Sequence, residues 1–174
     1  VTKDVIECIL ERRSVRHFKP DPIPEATLGR LVDAARWAPS AGNIQPWKFY
    51  VVVNQKVKEQ LAEAAYGQSF VARAPVVIVV CALPESSAER YGQRGRELYC
   101  LQDTAAAIQN ILLAATAYGL GSCWVGAFDE ERVKEVLELS RQERPVALIP
   151  VGYAEREPKP PARASLDRVV KVVE

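Results

Sequence analysis

Between Gln102 and Gly126 the chain loses its polar side. Ala105 to Ile108, Ile111 to Ala115, Ala117 and Tyr118 are apolar and, at about 3.6 residues per turn, point in every direction. A helix that is apolar all round is buried on all sides. Asp103 to Tyr118 would span roughly 24 Å at a helical rise, enough to serve as the axle of a small domain. Its many alanines let another helix backbone come close, so the pattern places this helix in the core and at a subunit contact. Gly119 stops it, as glycine does just past a helix end. Gly121 loosens the turn, and Ser122 to Val125 reads as a short strand. At Gly126 a backbone can approach a flat ligand with no side chain in the way. A core helix with an ordinary glycine stop would show the same pattern.

The rest of the chain alternates shorter periods. Thr2 can cap a helix running to about Arg12, with Val5, Ile6, Ile9 and Leu10 on one side. Pro20, Pro22 and Pro24 make the next stretch extended, and Pro24 suits the first position of a second helix. That helix carries Leu28, Leu31, Val32, Ala35 and Ala38, and ends at Pro39. A strand follows over Lys48 to Asn54, then a helix marked by Val57, Leu61 and Ala64. The apolar, β-branched run Val76 to Leu83 predicts a central strand. Pro84 to Arg96 is polar and reads as a lid or an exposed helix. Asp129 caps a helix bearing Val133, Val136 and Leu137, and Val146 to Tyr153 is a last core strand. AEREPKPPAR is too rich in proline and charge to pack a core. The strand-like LDRVVKVV that follows it suggests an arm that wraps onto a partner, or else a frayed terminus. Helices and strands in this order fit an α+β or α/β fold.

Composition narrows the function classes. A chain of 174 residues has a prior of one domain and buries about 70% of its unfolded surface, so it folds without disulfides or metal. Its 23 basic and 22 acidic residues nearly cancel, which argues against nucleic-acid or membrane-surface partners. The longest apolar run, Ala74 to Leu83, is too short to span a bilayer. No charged-then-apolar leader opens the sequence, so a soluble, cytoplasmic protein is expected. Cys8, Cys81, Cys100 and Cys123 are far apart and read as small buried residues, not as a metal or redox set. The single histidine, His17, excludes a multi-histidine metal site and argues against a Ser-His-Asp triad. No GxGxxG follows a strand and no Walker A sequence occurs.

Two clusters carry the candidate chemistry. Arg12, Arg13, Ser14 and Arg16 stand where a helix passes into a loop, and guanidinium forks match phosphate oxygens in charge-assisted pairs. The same residues could instead complement the negative end of the helix. Pro39, Ser40, Ala41, Gly42, Asn43, Ile44, Gln45 and Pro46 form a second, rigid, small-residue loop. Asn43 and Gln45 offer donors and acceptors suited to the edge of a heterocycle, although these are also ordinary turn formers.

RRSVRHF, APSAGNIQPWKF, GLGSCWVGAF and a proline-rich tail with a late arginine, in that order, resemble the nitroreductase family of FMN-dependent oxidoreductases. The resemblance covers about residues 6 to 170. It implies an α+β sandwich, a central mixed sheet flanked by helices, built into an intertwined homodimer. All of 1–174 would form one FMN-binding domain, with 154–174 as an arm onto the partner subunit. It further implies that the FMN phosphate sits on Arg12, Arg13, Ser14 and Arg16, joined by Arg163. Pro39, Ser40, Ala41, Asn43 and Gln45 of the other chain would border the flavin. Gln68 would reach the pyrimidine edge, and Gly126 and Ala127 would face flavin N5. The reaction would be a ping-pong transfer of hydride from NADH or NADPH through N5 to a nitroaromatic, a quinone or a flavin. No catalytic side chain and no metal are expected. A specialised branch, for dehalogenation or flavin breakdown, and a non-catalytic flavin-binding dimer are the alternatives. His17 is expected to line its loop, and Trp37, Trp47 and Trp124 to pack.

Overall fold

A computed structural model describes residues 3–174. Its order is α1 (Val5–Glu11), α2 (Glu25–Arg36), β1 (Trp47–Val52), α3 (Gln55–Ala64), α4 (Phe70–Arg73), β2 (Val76–Ala82), α5 (Pro84–Arg94), α6 (Cys100–Ala117), β3 (Gly121–Ser122), α7 (Glu130–Leu137), β4 (Arg144–Gly152) and α8 (Leu166–Val169). The sheet runs β1-β2-β4-β3 and all three ladders are antiparallel. Its one parallel contact is a bridge between Ser14 and Ser122, so the expected mixing of directions amounts to that single pairing.

β2 explains the two-layered core. Each of its seven residues is buried, and side chains alternate between faces along a strand. Val76, Ile78 and Val80 pack with Leu31 and Ala35 of α2 and with Ile108, Ile111 and Ala115 of α6. Val77, Val79 and Cys81 pack on the other face with Leu61 of α3, Val71 of α4 and Val133 of α7. The molecule is thus an α+β sandwich, and its β-branched central run is continuous because both sides are covered.

α6 begins at Cys100, three residues earlier than the pattern places it, because a π-helical turn, Gly95–Tyr99, feeds straight into it. It ends in a glycine-centred cap: Gly119 has φ +71°, its N–H reaches Thr116 O at 3.1 Å, and Leu120 N–H reaches Ala115 O at 2.8 Å. In the single chain α6 is not buried on every side. Gln109 and Tyr118 are exposed, and Leu113 and Ala114 are half-buried. Asn110 Nδ2 donates to Ala34 O at 2.9 Å and ties α6 to α2.

Several boundaries differ from the pattern for identifiable reasons. The Thr2 cap lies outside the described residues. Asp4 caps α1 instead, in a reciprocal box with Glu7. Pro24 is the cap of α2, not its first residue. Gly121 does not loosen a turn: a Cβ there would lie 2.7 Å from Val15 Cγ2, so it is the point of closest approach between β3 and the segment after α1. The strand expected over Ser122 to Val125 is two residues of β3 and a separate bridge from Val125 to Leu148. The strand-like LDRVVKVV is also corrected. Leu166–Val169 forms one helical turn after Ser165, and Val170 is extended. Nothing in that segment is buried, so β-branching has no partner strand to favour. Among the described residues no helix is long and apolar enough to cross a membrane.

Candidate flavin site

Arg12, Ser14 and Arg16 gather at the β3 edge of the sheet. Val15 N–H donates to Ser122 O at 2.9 Å, which fixes the segment beside β3. Next door, burial raises the pKa of the Cys123 thiol, while the positive fields of Arg16 and Arg12 and a bond with Ser14 oppose the rise. Arg16 stands over the Phe70 ring at 5.9 Å. Among the described residues, no carboxylate forms an ion pair with Arg12 or Arg16. Arg13 is different. Its Nη1 donates to Leu10 O at 2.7 Å and to Arg12 O at 2.9 Å, so it closes the end of α1.

Gln68 joins this edge. Its Nε2 donates to Ala65 O at 2.9 Å and to Ala127 O at 3.0 Å. Both amide hydrogens are spent, and its carbonyl oxygen is left free to accept. Asp129 N–H donates to Ala64 O at 2.9 Å, a second tie between the same two turns. Gly126 and Ala127 are exposed, and nothing lies closer than 4.0 Å to a Cβ built on Gly126. Along this edge Arg12, Ser14 and Arg16 lie at the Ser122 end, and Gln68, Gly126 and Ala127 lie further on, where Gly126 lines a cavity with Leu101, Thr104 and Ile108 of α6.

The loop from Pro39 to Gln45 lies elsewhere. Ala41, Gly42 and Asn43 form a 3-10 turn, and Gly42, Asn43 and Gln45 have φ between +55° and +58°. Non-glycine residues in this left-handed region need support from around them. Ser40 supplies part of it: its Oγ accepts from Gln45 N–H at 3.0 Å and its carbonyl from Asn43 N–H at 2.9 Å. Asp103, in the first turn of α6, supplies the rest by accepting from Ala41 N–H at 3.1 Å. Burial raises the pKa of Asp103. The sequence reading missed this residue, since a lone carboxylate entering an apolar helix shows no link to a loop 62 positions away.

The two clusters sit toward opposite ends of α6. Asp103 holds the loop at one end, and Gly121, just past the other, holds Val15. Asp103 and Gly119 are about 24 Å apart along the axis. Arg163 is exposed on the extended arm with no bond to either cluster. Among the described residues, three buried side-chain oxygens lack a hydrogen-bond partner, and two of them belong to these clusters: Ser122 Oγ at the arginine edge and Asp103 Oδ2 at the loop. Buried orphans of this kind point to an absent partner.

The profile of the nitroreductase family matches residues 9–70 and 63–153. The chain belongs to that family. Among nitroreductase relatives, a Thermus thermophilus protein named NADH dehydrogenase is 36% identical, covering 96% of this chain and 95% of its own. A Rhodospirillum rubrum 5,6-dimethylbenzimidazole synthase is 30% identical, covering 89% of this chain and 84% of its own. The Vibrio harveyi NADPH:FMN oxidoreductase, solved with NAD+, superposes with a TM-score of 0.90 at 25% identity, covering 99% of this chain and 78% of its own.

Proposed function

We propose that this nitroreductase-family chain is an FMN-dependent NAD(P)H oxidoreductase acting as a homodimer. The observation that carries the reading is the pair of guanidiniums, Arg12 and Arg16, that no carboxylate among the described residues pairs with, on the sheet edge along which Gln68 ties down the exposed turn at Ala127. A phosphate needs fixed cations, and a flavin edge needs backbone in place of bulk. The residues fit the group: Ser122 Oγ lacks a partner at the arginine edge, and the exposed Gly126 leaves space above it.

In this reading Arg12, Ser14 and Arg16 hold the phosphate, with Arg163 joining from the arm. Arg13 supports them through the α1 end. Gln68 offers its free carbonyl oxygen to a ring N–H at the pyrimidine edge. Pro39, Ser40, Ala41, Asn43 and Gln45 border the ring from the partner subunit, because within one chain α6 holds the two clusters apart. The dimer is supported by apolar surface that a lone chain leaves wet. Val5, Ile6, Ile9 and Leu10 on α1 are 50–68% exposed, and Val172 and Val173 on the arm 78% and 84%. Bound FMN supplies the hydride chemistry. The chain orients it, keeps one face open to NADH or NADPH and then to an acceptor, and contributes no general acid. Nitroaromatics, quinones and free flavins are the acceptor classes.

Anaerobic titration of the purified protein with NADH and NADPH, followed by acceptors, tests the reading. Yellow protein that bleaches and then recovers supports it; colourless protein that ignores added FMN removes it. The benzimidazole-synthase relatives favour a second reading, a specialised reaction that breaks flavin down oxidatively. Air admitted after reduction separates it: colour that fails to return means that flavin is consumed.

A further inference from the structure

The polar segment after β2 folds as a helical hairpin. Gly92 breaks α5 with φ +57° and ψ −142°, a combination that essentially only glycine adopts. Gly95 then packs so closely that a Cβ on it would lie 2.4 Å from Ser87 O. The fold-back sets Tyr91 edge-on to Tyr99, with ring centroids 5.2 Å apart. Arg90 stands over Tyr91 at 5.5 Å and Arg94 over Tyr99 at 5.3 Å, and Arg94 Nε donates to Tyr99 Oη at 3.0 Å. The cluster touches the loop proposed to border the flavin. Arg90 Nη1 donates to Gly42 O at 3.4 Å, and a Cβ on Gly42 would meet Arg90 Nη1 and Tyr91 Oη, each at 2.7 Å.

The charges of this hairpin are unequally used. Glu85 pairs with Arg96 and Glu97 accepts from Gln93. No carboxylate pairs with Arg90 or Arg94 among the described residues, and both are exposed. Arg90 and Arg94 are four residues apart, and each is oriented on an aromatic face instead of an acid. Each guanidinium rests over a ring and makes one neutral hydrogen bond, Arg90 to Gly42 O and Arg94 to Tyr99 Oη, which leaves the remaining N–H groups free for an oxyanion beside an aromatic group.

We propose that Arg90 and Arg94, braced on Tyr91 and Tyr99, bind the oxyanion of an aromatic redox substrate at the mouth of the flavin site. The inference rests on the flavin reading above and adds a substrate class to it: flat molecules bearing a carboxylate or phosphate. The oxyanion comes from the acceptor or from the nicotinamide donor.

FMN-loaded protein is assayed with 4-nitrobenzoate and 4-nitrobenzamide, which share ring and nitro group but differ in charge. NADH and NADPH are each varied as well. The Arg90→Gln/Arg94→Gln double variant should lower the benzoate-to-benzamide ratio of kcat/KM by about tenfold or more, through KM. The Arg90→Lys/Arg94→Lys variant, which keeps the charge, should restore part of it. A rise in donor KM with the acceptor ratio unmoved assigns the oxyanion to the donor phosphates and also supports the inference. Wild-type protein that holds FMN and reduces both acceptors, with neither the ratio nor the donor KM responding to the glutamine variant, overturns this inference alone. Wild-type protein that holds no FMN removes the flavin reading beneath it.

Discussion

Arg12, Arg13 and Arg16 lie within five residues of each other but are differently employed. Arg13 is committed to α1 carbonyls, so Arg13→Ala should lower stability by about 0.5–1.5 kcal/mol, measured by denaturant unfolding. Arg16 has no comparable commitment. Arg16→Ala should weaken FMN binding about ten- to a hundred-fold, measured by flavin fluorescence titration; unchanged affinity would remove its phosphate role. A third residue governs acid stability. Burial pushes the Glu143 carboxyl upward, but bonds from Lys48 and Tyr50 outweigh this and bring its pKa to about 2, against an ordinary 4.5. A depressed carboxylate stabilises fully above its unfolded value, and that contribution fades as pH falls toward the folded one. Glu143→Gln should therefore flatten the melting-temperature curve between pH 4.5 and about 2. At this scale the sequence shows which residue types carry their own chemistry, as guanidiniums do. It is not legible for Asp103 or Glu143, whose partners Ala41 and Tyr50 meet them only through the fold.

At the scale of elements, period and glycine placement predicted most of the architecture. β2 was readable because a strand covered on both faces is a continuous apolar run, and α6 because Gly119 ends it. The hairpin within α5 was not, since Gly92 breaks a polar helix with no apolar period to register the change. In the C-terminal segment Leu166–Val169 turns helical in the lone chain, where no strand edge receives its β-branched residues. Gly121 offers a test of how β3 holds the arginine segment. Gly121→Ala would force a methyl against Val15, and overpacking of this kind costs about 1–3 kcal/mol. The variant should unfold more readily and also lose FMN affinity, as read by paired denaturation and flavin titration. A loss of stability with flavin affinity intact would separate β3 from the phosphate cluster.

For the molecule as a whole, a lone chain leaves large apolar side chains exposed. Trp37 is 74% exposed and Leu166 76%, alongside the faces of α1 and the arm. β1 is an edge of the sheet with Val51 43% exposed and, just past it, Val53 62%, and an unpaired edge of this kind is a template for an extended segment of another chain. Removing residues 160–174 should reduce both dimerisation and flavin retention, measured by sedimentation and by flavin absorbance. A shortened protein that stayed dimeric and yellow would exclude the arm from either role.

The placement of Arg16 and Asn43 toward opposite ends of α6 has a genetic consequence. Damage at the first residue and damage at the second would reside in separable halves of a shared centre. Two inactive preparations, one altered at each position, could then rescue one another after subunit exchange. Every mixed pair would contain one centre with both faults and one with neither. Random reassortment would recover about a quarter of native turnover, whereas a centre confined to one polypeptide would recover none.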